Sequence, residues 1–179
     1  MQSSTADTLW DRIATEAGAE SSLWTAALRP PDEQERTAVF SPLAEARYAL
    51  GIETIYEGYL LHYGRPRLFS PADGDTALLL GDYLYAHGLV RIEQVGSVEA
   101  VNDLAELIAL CAYLQADAIA GDGAVWAATS ALLGRGALDA GRDTLRLDND
   151  PKQLERLARG TVGDEAVTRS LAAHRKRLR

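Results

Sequence analysis

The chain contains few of the residues from which disulfides and soft-metal sites are built. Its 179 residues include one cysteine and three histidines, which excludes an intrachain disulfide framework and a zinc site made of thiolates. Cys111 lies in the apolar stretch LIALCAYL, so we expect a small core residue there and not a reactive thiol. His62, His87 and His174 lack the spacing of metal ligands, and we expect structural or surface histidines.

Positive charge and long apolar runs are also scarce. The chain has 18 basic and 26 acidic residues and a net charge of −8, which argues against a nucleic-acid partner because phosphate binding needs a basic surface. The one basic cluster is HRKRLR (174–179), which we interpret as a solvated helix C-terminus and not as a contact to an anionic surface. No run approaches the ~18 apolar residues of a transmembrane helix, and the N-terminus does not resemble a signal peptide. We therefore expect a cytoplasmic protein without a transmembrane segment.

Common catalytic motifs are missing as well. The sequence has no His-Glu-x-x-His, no glycine-rich phosphate loop and no Gly-x-Ser-x-Gly. The acidic pairs DGD (73–75) and DND (148–150) directly precede predicted helices. Capping of those helices accounts for both pairs without a cation.

The sequence does carry helical periodicity along most of its length. Strict strand alternation never persists beyond a few residues, so we predict one all-α domain over residues 1–179, with about seven helices. Ser41-Pro42 and Asp150-Pro151 are typical helix starts, and Ser97 is a predicted cap. The predicted helical segments are 5–18, 41–63, 75–92, 97–120, the alanine- and glycine-rich 124–141, a helix from 151 and a helix from about 164.

One predicted helix places an acid in an apolar stripe. In TALLLGDYLYAHGL (76–89), Leu78, Asp82, Tyr85 and Leu89 are three or four residues apart and share one face at helical pitch. We expect this face to be buried. A buried carboxylate needs a hydrogen-bond partner or an opposite charge.

The surrounding motif resembles a known family. Gly64-Arg65-Pro66, a loop of about ten residues and then Ala77-Leu78-Leu79-Leu80-Gly81-Asp82-Tyr83-Leu84 resemble the Arg-Arg-Gly-x-Pro segment and the Gly-Asp helix of the trans-polyprenyl diphosphate synthases. ATSALLGRGALDAG (128–141) is similar to a later alanine-rich helix of that family. The resemblance covers about residues 45–141. It implies a helical bundle resembling part of the isoprenoid synthase fold.

The same resemblance implies that the catalytic acids of the family are lost. The family holds Mg2+ between two aspartate-rich motifs, but this chain has no two adjacent aspartates, and the second motif is absent. An ungapped alignment places Glu53 and Glu57 at the first motif, and His62 and Tyr63 at the arginine pair. A gapped alignment replaces the two aspartates by Tyr63 and Gly64. At i and i+4 the two glutamates share a helix face; we interpret them as a solvated pair, with a Mg2+ site as the alternative.

Five residues are therefore the candidates for a residual ligand site. They are Glu53, Glu57, His62, Arg65 and Asp82. For Asp82 we expect a structural role with Tyr59, His62 or Arg65 as its partner, and a ligand role is the alternative. No cofactor is expected, and Mg2+ enters only if Glu53 and Glu57 form a metal site.

The functional expectation is a non-catalytic protein that acts by association. The resemblance implies a small or regulatory subunit of a heteromeric polyprenyl diphosphate synthase, or a member of another complex. Two alternatives stay open: a binding protein for an isoprenoid or other apolar ligand, and a weak Mg2+-dependent prenyl diphosphate enzyme that uses Glu53 and Glu57.

The chain is short relative to the family, so apolar helix faces should be left uncovered, and such faces usually mark contacts. We expect a homodimer, or a hetero-oligomer with a full-length prenyl synthase or another protein. The segment 124–141 and the face Leu104, Ile108, Cys111 and Leu114 are the predicted core seam or interface.

Overall fold

The structure, a computed structural model, describes residues 5–178 of the chain, and residues 5–8 only in their backbone. Within that range it has nine α-helices and no strand and is 75% helical, which confirms the all-α class. None of the described helices is both long and apolar enough to cross a membrane. The helices are α1 (Thr5–Glu20), α2 (Ser22–Ala27), α3 (Ala49–Tyr63), α4 (Gly74–Val95), α5 (Val98–Ala116), α6 (Asp122–Leu132), α7 (Asp139–Asp148), α8 (Lys152–Val162) and α9 (Asp164–Arg175).

Helices α3 and α4 pack closely against each other, and glycines make this possible. A Cβ atom on Gly58 would lie 2.9 Å from the carbonyl oxygen of Gly81, and one on Gly88 would lie 2.4 Å from Ile55 Cγ1. A Cβ atom on Gly81 itself would lie 2.5 Å from His62 Nε2. The glycine of the Gly-Asp motif is therefore required by the close approach of the two helices.

Aromatic side chains fill the centre of the larger of the two hydrophobic cores found among the described residues. The rings of Phe40 and Trp126 are stacked with their centroids 5.4 Å apart, and Tyr56 meets Trp126 edge to face at 5.0 Å. Cys111 is fully buried in the same core, as predicted. The smaller core joins α1 and α2 to the loop before α4 and to the inner face of that helix.

The face that α4 buries differs from the predicted one. Leu80, Gly81 and Leu84 are buried, whereas Leu78 is 53% exposed and the Asp82 side chain 64% exposed. The prediction of a buried stripe is therefore wrong for Leu78 and Asp82, whereas Tyr85 and Leu89 do pack, partly buried, against the larger core. The close contact with α3 selects the glycine-containing face, and this turns the Leu78–Asp82 edge toward solvent.

The chain before α3 also differs from the prediction of a helix from residue 41. Short 3-10 turns occupy Ser41–Leu43 and Ala46–Tyr48, and the α-helix begins at Ala49. The reason lies in Glu53, whose Oε1 accepts the backbone N–H of Ser41 at 3.1 Å. This bond holds the segment against the side of α3, so it cannot continue the helix axis.

The alanine-rich segment 124–141 is not one helix. Helix α6 ends at Leu132, and α7 begins at Asp139. Gly134 and Gly136, between them, have φ angles of +74° and +63°. Such angles are left-handed conformations that glycine adopts without strain and that interrupt a helix.

The predicted caps of α4 and α5 are confirmed, whereas the predicted Asp150 cap of α8 is not. Asp73 Oδ1 accepts the N–H of Thr76 at 2.7 Å at the start of α4. Ser97 Oγ accepts the N–H of Ala100 at 3.3 Å at the start of α5. Asp150 accepts the N–H of Lys152 at 3.0 Å, but Pro151 occupies the N-cap position of α8, and that helix has no side-chain cap. These acids and hydroxyls satisfy N–H groups that the first turn of a helix leaves free.

Candidate functional site

The two candidate glutamates of α3 form a buried ion cluster with an arginine from the following loop. Glu53, Glu57 and Arg67 have no exposed surface. Arg67 Nε lies 2.9 Å from Glu57 Oε2, and its NH1 atom lies 2.5 Å from Glu53 Oε2. The prediction of a solvated pair on an exposed stripe is therefore wrong. The residues share a face, as their spacing requires, but that face points into the protein.

Backbone N–H groups complete the surroundings of both carboxylates. Glu53 Oε1 accepts two N–H bonds at 3.1 Å, and Glu57 Oε1 accepts two at 2.7 Å. The donors are Val39, Ser41, Arg67 and Leu68. Each of the four carboxylate oxygens thus accepts at least one hydrogen bond. A Mg2+ ion would have to displace these bonds to be held by the pair.

Arg67 is fixed from all sides. It also donates to the carbonyl oxygens of Thr37 at 3.0 Å and of Glu53 at 3.1 Å. Its guanidinium lies over the rings of Trp10 and Tyr56, 4.6 and 5.0 Å from their centroids, a favourable cation–π geometry. Burial acts to lower the pKa of Arg67, but the two carboxylates outweigh it and raise the pKa, so the group stays charged. The cluster joins three segments of chain to α3.

His62 and Asp82 meet at the outer edge of the contact between α3 and α4. His62 Nε2 lies 3.3 Å from Asp82 Oδ1, but the two are not aligned as a hydrogen bond. Burial lowers the pKa of His62 below 6.5, and the Asp82 carboxylate only partly opposes this. Of the three partners predicted for Asp82, the structure places His62 beside it. The Asp82 carboxylate is, however, exposed and not buried.

A groove of about 460 Å3 runs beside His62, between α3, the loop before α4 and the start of α4. Arg29 and Asp73 also line it. Asp73 is occupied as the cap of α4, and Arg29 donates to the carbonyl oxygen of Phe69 at 3.1 Å. The two charged side chains of the groove, Arg29 and Asp73, thus already have partners within the protein.

Arg65, the fifth candidate, is held by the C-terminal segment and not by Asp82. Its side chain donates to the carbonyl oxygen of Lys176, and its N–H donates to that of Arg177 at 2.8 Å. Arg177 in turn pairs with Glu35 at 2.7 Å. The prediction of a solvated basic C-terminus fits Lys176, which is exposed, but is wrong for Arg177 and for the buried His174. Residue 179 lies outside the described residues.

Sequence reasoning missed a buried polar network that joins four helices. Tyr56 OH lies 2.9 Å from His174 Nδ1, and His174 Nε2 lies 3.0 Å from Asp122 Oδ2. Tyr59 donates to the same carboxylate oxygen and accepts from Gln115 Nε2 at 2.9 Å. These side chains come from α3, α5, α6 and α9. No local pattern connects them, because Asp122 and His174 are 52 residues apart.

The chemistry of this network is that of a stabilised buried carboxylate. Burial acts to raise the pKa of Asp122, but the bonds from His174 and Tyr59 outweigh it, and the pKa falls below 3.8. Burial also raises the pKa of both tyrosines, so their hydroxyls keep their protons, and that of Tyr59 donates to the carboxylate. A satisfied network of this kind specifies the packing of a core.

The solvent side of α4 carries an apolar surface edged by acids. Leu79 is 57% exposed and Val90 50% exposed. At 3.6 residues per turn they share a face with the exposed Ala86. We call this surface the outer α4 face; its members are Asp75, Leu78, Leu79, Asp82, Ala86, Val90 and Glu93.

Comparison with known proteins leaves the resemblance untested. No family model matches the chain, and no curated protein or solved structure matches it significantly. The all-α class is shown, whereas the likeness to the isoprenoid synthase fold still rests on the motifs of residues 64–84 and 128–141.

Proposed function

We propose that this protein acts by association with another protein and not by catalysis, and that the outer α4 face is its contact surface. The observation that carries the proposal is the exposure of Leu78, Leu79 and Val90 on α4, the helix that packs closely against α3 on its other side. Exposed apolar side chains that share one helix face often mark a contact with a partner.

The use of the candidate acids supports a non-catalytic role. Glu53 and Glu57 are committed to Arg67 and to backbone N–H groups in a site without exposed surface. A catalytic carboxylate has to reach a substrate or a metal ion. The Mg2+-dependent alternative would require this cluster to open.

The binding of an apolar ligand in the middle of the bundle has less support. The rings of Phe40, Tyr56 and Trp126 fill that position with centroid separations of 5.0–5.4 Å. A long isoprenoid chain would have to displace them. The outer α4 face needs no such rearrangement to reach a partner.

The charges on the outer α4 face favour a different protein over a second copy. A two-fold pairing of α4 helices, antiparallel and centred at mid-helix, would bring Asp75 of one copy toward Glu93 of the other. Like charges at an interface suppress association, and the whole chain carries −8. We therefore infer a partner helix with apolar residues at its centre and basic residues at its edge.

The resemblance suggests that this partner is a full-length polyprenyl diphosphate synthase from the organism that encodes this chain. The chain would then be the small or regulatory subunit of that synthase. Mixing the two proteins and separating them by size-exclusion chromatography with light scattering tests this directly. We expect a joint peak with the mass of a hetero-oligomer and an altered product chain length. Two independent peaks with unchanged products would contradict the subunit role.

A further inference from the structure

A pocket lined by three arginines lies on the other side of α4 from the outer α4 face. It has a volume of about 290 Å3 and lies between α1, the start of α3 and the C-terminal half of α4. Arg12, Arg47 and Arg91 line it, and each also pairs with a carboxylate beside it: Arg12 and Arg91 with Glu16, and Arg47 with Glu45. Three arginines around one pocket are unexpected in a chain with a net charge of −8.

Arg91 is the most constrained of the three. Its side chain is only 5% exposed; NH2 lies 2.5 Å from Glu16 Oε2, and NH1 donates to Thr54 Oγ1. Its Nε atom is buried and has no hydrogen-bond partner among the described residues. A buried donor without an acceptor is costly, and native structures usually supply a partner from the protein, from water or from a ligand.

The start of the α3 helix contributes to the same pocket. The 3-10 turn Ala46–Tyr48 runs directly into α3, and no side chain caps either element. Glu45, the adjacent acid, instead pairs with Arg47 at 3.0 Å. The N–H groups of Tyr48 and Ala49 bond to the backbone carbonyl oxygens of Glu45 and Ala46, so this helix start adds only the positive end of its dipole to the pocket.

A larger basic groove on the protein lies at the opposite end of a helix dipole. About 520 Å3 in volume, it is lined by Arg65, Arg169, Lys176 and Arg177, and Glu35 also lines it. It lies beside the C-terminal end of α9, where the helix dipole is negative. The negative helix end and Glu35 thus partly offset the basic side chains of the groove, whereas the arginine pocket adds the positive end of a helix dipole to its arginines.

We propose that the arginine pocket binds a small oxyanion, a phosphate group that is either free or carried on a small apolar molecule. Arg12, Arg47 and Arg91 would supply charge-assisted hydrogen bonds to its oxygens. The side chains of Leu9, Leu50 and Val95 form the apolar part of the wall. They would accommodate a short substituent of a phosphate ester. The proposal is independent of the contact surface on the outer α4 face.

Isothermal titration calorimetry of the full chain with inorganic phosphate and with phenyl phosphate, against chloride at equal ionic strength, tests the site. We expect either anion to bind, with tighter binding of the ester if a substituted phosphate is the ligand and equal binding if it is free phosphate. Arg12→Gln and Arg47→Gln should each weaken binding by about fivefold to tenfold through loss of one charge-assisted contact. Both side chains are more than half exposed, so the fold should be retained, and circular dichroism verifies this.

Arg169→Gln is the matched control, because Arg169 is an exposed arginine with a glutamate four residues away in the basic groove. It should bind both anions as the wild type does. Absence of binding at millimolar phosphate and phenyl phosphate would overturn the proposal. So would equal affinity in all three variants, or a loss of binding confined to Arg169→Gln.

Discussion

Arg67 Nε lies 2.9 Å from Glu57 Oε2 in a site where neither side chain has any exposed surface. This ion pair joins Arg67, in the loop after α3, to Glu57, which lies ten residues earlier in α3. Its environment also decides the role of Glu57. The carboxylate that the sequence offers as a possible metal ligand is a structural anchor in the fold.

Replacement of Arg67 by methionine should be strongly destabilising. The variant leaves the carboxylates of Glu53 and Glu57 buried without their cation, and breaking such a pair costs about 3–5 kcal/mol. Urea denaturation followed by circular dichroism measures the loss. Arg146→Met, which removes a partly exposed ion pair with Glu106, is the control and should cost less than about 1 kcal/mol. Similar free energies of unfolding for the two variants would contradict the account of the ion cluster.

The stability of the protein should fall in acid partly through Glu16. Burial acts to raise the pKa of Glu16, but hydrogen bonds from Arg91 and His87 outweigh it and lower the pKa from 4.5 to about 2. A depressed folded-state pKa contributes stability that is fully present above about pH 4.5 and is lost as the pH falls toward 2. Glu16→Gln should therefore reduce the slope of melting temperature against pH in this window. Glu165→Gln, an exposed-glutamate control, should keep the wild-type slope, and equal slopes in all three proteins would refute the assignment.

Two glycine substitutions should have opposite effects. Gly88→Ala would place a Cβ atom 2.4 Å from Ile55 Cγ1 at the contact between α3 and α4, and this overpacking should cost about 1–3 kcal/mol. Gly160 lies in α8 with open space around its Cα atom. Gly160→Ala should therefore stabilise the protein by about 0.5–1 kcal/mol. Thermal unfolding compares the stability of the two variants with that of the wild type. An unchanged melting temperature for Gly88→Ala would mean that α3 and α4 pack less closely than described.

Ile108→Asp tests the seam on α5. Leu104, Cys111 and Leu114 are buried there and Ile108 packs partly buried against the same core, so the seam lies inside the monomer. The variant should lose at least about 2 kcal/mol, because an unpaired charge enters an apolar contact. Circular dichroism and light scattering separate unfolding from dissociation, with Ala109→Asp on the exposed side of the helix as control. A folded and equally stable Ile108→Asp would show the packing to be wrong.

The local features of this fold could be predicted and the long-range ones could not. Asp73 and Ser97 cap their helices as their sequence neighbours indicate, because a cap depends only on the next three residues. The burial of Glu53 and Glu57 depends on Arg67, which no local pattern marks as their partner. The orientation of α4 depends on glycine contacts across two helices. The network of Asp122 and His174 likewise exists only after four helices have assembled.

Sedimentation velocity of the chain with a full-length synthase from the same source tests the central claim, association through the outer α4 face, most directly. Leu79→Lys places a charge in the middle of that face, and Leu147→Lys places the same charge on α7, where Leu147 is 81% exposed against 57% for Leu79. The account predicts a hetero-oligomer for the wild type and for Leu147→Lys, and separate species for Leu79→Lys with an unchanged circular dichroism spectrum. Separate species in all three mixtures, or a complex that Leu79→Lys leaves intact, would contradict it.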